Sequence, residues 1–177
     1  MERGMRMRKV NNKGFTLVEM MIVLGISAII LTLVVFSYNV INNANVQKSA
    51  RRLENVIRIA RTRCMTKGTK RGELKLYQQN GNIYAVLGED SVPELICSSG
   101  VTMKSLATAD YGTKPQVMEA SAAPIPVYPG ISLKFNTSGT VQTYAGNPNN
   151  VFLLNNGGRS YQVVVYYETG SVEVNMY

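Results

Sequence analysis

An α+β fold is predicted for these 177 residues from three features. One long apolar run occupies residues 15–41, an amphipathic helical pattern comes directly after it, and the remainder reads as short strands between turn residues. A single long helix followed by antiparallel strands places the helix's apolar stripe over a sheet or a sandwich. The chain beyond the apolar run is long enough for one soluble domain and no more.

Residues 1–14 form a basic leader, with Arg3, Arg6, Arg8, Lys9 and Lys13 against Glu2, a net charge of +4. Positive charge before a membrane helix keeps that end in the cytoplasm, so the remainder is expected to be exported. Lys48, Arg51 and Arg52 on the far side oppose this bias, three against five. Between Phe15 and Ile41 the only side chain charged at neutral pH is Glu19, in a stretch long enough to cross a bilayer as a helix. A carboxylate facing lipid costs roughly 2.5–3.5 kcal/mol, so it calls for a partner. The nearest candidate is a new amino terminus, created if the chain is cut before Phe15. Glu19 is then the fifth residue, one helical turn from the ammonium.

Lys13-Gly14 followed by Phe15-Thr16-Leu17-Val18-Glu19-Met20-Met21 resembles the class III signal of type IV prepilins and type II secretion pseudopilins. The resemblance covers about 27 residues without a gap, and it implies a pilin-like fold. It implies that a membrane-embedded prepilin peptidase cuts between Gly14 and Phe15 and N-methylates Phe15. It implies further that Glu19 sets register during assembly with other pilin or pseudopilin subunits on an inner-membrane platform. An ordinary secretory signal has an apolar core of roughly 7–15 residues and then a small-x-small site, and neither is found here. A plain membrane anchor accounts for the length but not for Glu19 or the Gly14–Phe15 junction.

The next segment, residues 42–67, carries Val46, Ala50, Leu53, Ile57, Ala60 and Cys64 at spacings of four and three, the stripe of an amphipathic helix. Gly68 is the expected terminator. The simplest architecture is one helix over residues 15–67. Many major pilins kink it at a proline, and the corresponding place here is Phe36, so a straighter helix is expected.

Residues 68–177 are expected to form the exported β-rich domain. Strands are expected at 73–79 and 82–87 around the hairpin turn Asn80-Gly81, then at 131–135, 151–154, 161–167 and 171–176. Residues 110–129 hold four prolines and read as a long loop. The segment from Ile131 to Val141, with Phe135 and Gly139, resembles a hydrophobic-x-Phe-x-x-x-Gly pattern of the type II secretion protein H / FimT class. Val163-Val164-Val165 with Thr169-Gly170-Ser171-Val172 resembles the closing hairpin of that class. Both also read simply as a core Phe and a turn Gly with positive φ.

There is no histidine, which removes Ser-His-Asp and Cys-His nucleophilic sites and the common zinc sets. No enzyme activity, cofactor or metal is expected. Cys64 and Cys97 both fall on the exported side, where disulfides persist. Their bridge, closing a loop of about 34 residues and worth roughly 3–4 kcal/mol, is the expectation, against two buried thiols. Gly25, Ser27 and Ala28 offer either a close-approach patch or residues that merely suit a membrane helix.

Two functions from different classes remain. One is a structural subunit of a pseudopilus or type IV pilus, held first in the cytoplasmic membrane. The other is nucleic-acid capture through Arg58, Arg61, Arg63, Lys67, Lys70 and Arg71, the densest basic cluster after the leader. Subtracting the leader's +4 from the formal +8 leaves +4, so the high isoelectric point is partly the leader's. The Gly-Arg-x-Arg motif associated with DNA binding in some FimT-like proteins is missing, since Gly170 is followed by Ser171-Val172-Glu173. A solvated helix face explains the cluster equally well.

Overall fold

The computed structural model describes residues 15–88, 91–108, 118, 120–127, 129–142 and 149–177. The leader, including Gly14, lies outside these residues. The chain divides into two compact units, Met1–Tyr38 and Asn39–Tyr177. The fold is α+β, as expected, and consistent with a pilin-like architecture.

Helix α1 spans Leu17–Lys67, 51 residues. It stops where expected, at Gly68, whose φ of 87° few other residues adopt and whose N–H donates to Cys64 O at 3.1 Å. In the second unit the six expected stripe positions from Val46 to Cys64 are all fully buried, joined by Val56 and Ser49. The buried face is thus wider than the stripe, because it meets two sheets rather than one.

The first sheet has four strands in the order β3-β2-β1-β6: β1 Leu74–Gln79, β2 Asn82–Leu87, β3 Glu94–Cys97 and β6 Ile131–Leu133. The second has five in the order β5-β4-β7-β8-β9: β4 Thr102–Leu106, β5 Ala123–Pro124, β7 Val151–Asn155, β8 Ser160–Val165 and β9 Val172–Met176. The strand pairs within both sheets are antiparallel. Asn80 and Gly81 take φ of 51° and 75°, the doubly positive turn that matches strand twist.

One core joins α1 to both sheets. Leu53, Ile57 and Ala60 share one buried cluster with Leu74, Leu76 and Ile96 of the first sheet and Phe152, Leu154 and Val163 of the second. Strands β7 and β8 are buried on both faces: Val151, Leu153 and Val164 pack under Met118 in a smaller second cluster. Double burial is why Val151–Leu154 and Val163–Val165 read as unbroken apolar runs rather than alternating ones.

Three expectations are corrected. Strands β3 and β4 were not foreseen. The expected loop at 110–129 contains β5, the buried Met118 and a bridge from Val127 to Gln78, while its residues 110–117, 119 and 128 fall outside the described part. Strand β8 ends at Val165 rather than 167, because Tyr166 N–H donates to Ser171 O at 3.0 Å and Gly170 N–H to Tyr166 O at 2.7 Å, closing the turn early.

Candidate functional site

Within the first unit, Leu17–Ser37 is a 21-residue stretch long and apolar enough to cross a membrane. At 1.5 Å per residue it extends about 31 Å, the thickness of a bilayer's hydrocarbon core. Its large apolar side chains stand 53–81% exposed from Phe15 to Phe36, on every side of the helix. A helix apolar all round is stable only among lipid tails or other helices. Two of its three hydroxyls bond within the helix: Thr32 Oγ1 donates to Ile29 O at 2.7 Å and Ser37 Oγ to Leu33 O at 2.9 Å. For these two, the helix's own carbonyls supply the partner that hydrocarbon does not. Around Gly25 there is open space.

The helix starts on a reciprocal pair. Thr16 N–H donates to Glu19 Oε2 at 2.8 Å, and Glu19 N–H donates to Thr16 Oγ1 at 3.2 Å. The Thr16 hydroxyl also donates to Glu19 Oε2, at 3.0 Å. This is a capping box, which satisfies helix-end donors and places a carboxylate at the positive end of the helix dipole. It amends the expectation that a new amino terminus is Glu19's nearest partner, since Thr16 is bonded to it already. The signal, Thr-x-x-Glu before an apolar run, stood in the sequence. Phe15, just outside the helix, is 81% exposed.

Residues 9–35 match the family model described as the prokaryotic N-terminal methylation motif. The chain therefore carries the type IV prepilin-like signal. No curated protein and no solved structure matches the chain. The methylation motif coincides with the Thr16–Glu19 box and the exposed apolar helix. It implies processing by a prepilin peptidase and assembly with other pilins, and it points to a structural subunit rather than an enzyme.

Three arginines of the basic cluster, Arg58, Arg61 and Arg63, bond within the domain. Glu54 lies between Arg51 and Arg58, with Arg51 Nη1 at 2.9 Å from Oε2 and Arg58 Nη2 at 2.9 Å from Oε1. Burial opposes the charge of Glu54, but hydrogen bonds from both arginines, and their charges, hold its carboxyl below the usual range. Arg58 Nη2 also donates to Val172 O at 3.2 Å, and Arg61 Nε to Gly139 O at 3.1 Å. Arg52 Nη1 reaches Leu95 O at 3.3 Å and Arg63 Nη1 reaches Ser91 Oγ at 3.2 Å. These arginines fasten α1 to β3, β9 and two connecting segments. Lys67 and Lys70 remain on the exposed surface.

Cys64 and Cys97 are both buried and both free, which corrects the expected bridge. The Cys97 thiol lies beside Ser49 of α1, whose hydroxyl favours its charged form against burial. Cys64 lies 15 residues further along the same helix, about 22 Å at the α-helical rise. A disulfide requires Cα atoms roughly 4.4–6.8 Å apart. Burial pushes the Cys97 thiol up to about 12, and Cys64 is raised for the same reason.

One residue that sequence reasoning did not single out organises the second sheet. Asn150 is fully buried, and its Oδ1 accepts from Thr108 N–H at 2.8 Å and Tyr167 OH at 3.0 Å. Its Nδ2 donates to Thr108 O at 2.9 Å and Val165 O at 3.1 Å. A buried amide saturated in this way holds its neighbours in place. Nothing in local sequence marks it, because its partners are mostly backbone groups distant in the chain.

Proposed function

We propose that this chain is a minor pilin-like structural subunit, of the type II secretion protein H / FimT kind, assembled into a pseudopilus or type IV pilus. Residues 1–14 are removed after Gly14 by prepilin peptidase, and Phe15 becomes the methylated first residue. Residues 15–41 serve first as the anchor in the cytoplasmic membrane and then as the assembly helix. Residues 42–67 continue that helix into the exported domain formed by residues 68–177. The methylation motif lying over an apolar helix uncovered on all sides is the observation that carries this reading.

Extraction from lipid into a filament exchanges lipid contacts for helix–helix contacts at modest cost. Glu19 supplies specificity, because a misregistered subunit leaves its carboxylate and a neighbour's Phe15 ammonium both unpaired. Nucleic-acid capture is the less supported alternative, since Arg58, Arg61 and Arg63 are engaged by Glu54, by two backbone carbonyls and by Ser91.

Substituting Glu19→Val tests the reading. Membrane insertion is expected to persist, because the change removes an insertion cost. Incorporation into filaments, or co-purification with other pilin-type subunits, is expected to fall. Normal assembly of this variant would sink the register role.

A further inference from the structure

We infer that Thr16 is a positioning residue, which fixes the Glu19 carboxylate so that one of its oxygens is presented to a neighbouring subunit. The inference rests on the assembly role proposed for Glu19. Its own support is the hydrogen-bond pattern at the start of α1.

An ordinary N-cap needs only its side-chain oxygen, accepting from the third helical N–H. Thr16 does this and more, because its amide and its hydroxyl both donate to Glu19 Oε2, at 2.8 and 3.0 Å. Both bonds fall on the same oxygen. Among the described residues Oε1 accepts none. An ionised carboxylate has about four lone-pair sites, so Oε1 keeps its full accepting capacity for a cationic donor from another chain.

Glutamate is among the side chains with the most rotamer freedom to lose on ordering. Bonds at Oε2 remove that freedom in the free subunit, so less remains to be lost when a partner arrives. The box also needs no cut at Gly14, since it uses only Thr16 and Glu19. Glu19 is thus already hydrogen-bonded in the precursor, where no free Phe15 ammonium exists.

Cross-linking of the full chain to neighbouring subunits in its native host tests this, with Thr16→Ser, Thr16→Gly, Glu19→Val and the Thr16→Gly/Glu19→Val pair compared. Glycine is nearly as good an N-cap as threonine, so helix stability alone leaves Thr16→Gly close to wild type. The positioning role instead lowers its cross-linked yield about fivefold, while Thr16→Ser retains it. In the double variant the Thr16 change adds nothing, because the group it positions is gone. Wild-type yield from Thr16→Gly alongside a failing Glu19→Val overturns the inference and leaves the role of Glu19 standing. Wild-type yield from Glu19→Val overturns that role itself.

A second measurement holds even if Thr16→Gly is not cleaved. Amide hydrogen exchange by NMR, on the unprocessed chain in detergent micelles, is expected to show Thr16 and Glu19 slower than Leu17 and Val18. A Thr16 amide exchanging as fast as that of Leu17 contradicts the box.

Discussion

Arg61 Nε donates to Gly139 O at 3.1 Å, fastening α1 to the tight turn that comes after the buried Phe135. Gly170, from the turn between β8 and β9, comes so close to that carbonyl that a Cβ on it would collide with the oxygen. Val141 N–H donating to Tyr167 O at 3.0 Å joins the two turns again. The two glycines resembling the type II secretion protein H / FimT patterns therefore meet at one point, beneath one arginine.

Replacing Arg61 by alanine removes a charged donor from a part-buried carbonyl. A loss of about 1.5–3 kcal/mol of stability is expected, read by urea unfolding of the detergent-solubilised chain. Arg61→Lys is expected to recover little of it, because an ammonium on a flexible stem does not reproduce the placement of Nε.

Gly170→Ala and Gly157→Ala separate strain from collision. Both glycines have positive φ, 62° and 86°, but a Cβ at Gly157 meets nothing within 4 Å. Gly157→Ala is expected to cost the strain alone, about 1–3 kcal/mol. Gly170→Ala adds displacement of the Gly139 carbonyl to the same strain, and so costs more. Equal costs in the same unfolding assay would contradict the close approach of the two turns.

The buried thiols make two measurable claims. Non-reducing mass analysis of chain extracted from the membranes of its native host is expected to find both cysteines reduced, and a mass lower by two hydrogens would restore the bridge. Cys97, raised to about 12 by burial, keeps its proton in the folded state after the unfolded chain has lost it. The stability this group contributes is intact below the unfolded value near 9 and lost as pH rises through about 12. Wild type compared with Cys97→Ala should lose about 1.4 kcal/mol per pH unit across that window.

Nucleic-acid affinity of the full chain in micelles is expected to be weak and strongly salt-dependent, with a Kd of roughly 10⁻⁴–10⁻⁶ M at physiological salt. Reversing Arg58 and Arg61 to Glu should destabilise the domain, because both are tethers. Nanomolar binding abolished by reversing the exposed Lys67 and Lys70 would favour nucleic-acid capture instead.

The α+β class, the extent of α1, its stop at Gly68 and the Asn80-Gly81 hairpin were legible because each depends on periodicity or a turn residue a few positions away. Strands β3 and β4 were not, since Glu94-Leu95-Ile96-Cys97 and Thr102–Leu106 are short and carry few β-branched residues. The arginine tethers were hidden for another reason: most of their acceptors are backbone carbonyls, which any residue supplies. Two cysteines in the segment expected to be exported suggested a bridge by count alone, and only their placement in the fold excludes it. At the candidate site, Glu19 was found from its charge, while Thr16 was overlooked although the capping pattern was present.

The most direct test of the central claim is the mass of the amino-terminal peptide from chain extracted from the membranes of its native host. A chain beginning at Phe15, with one methyl group on its nitrogen, is the expected result. Recovery of Met1, or of an end near residues 35–45, would contradict it.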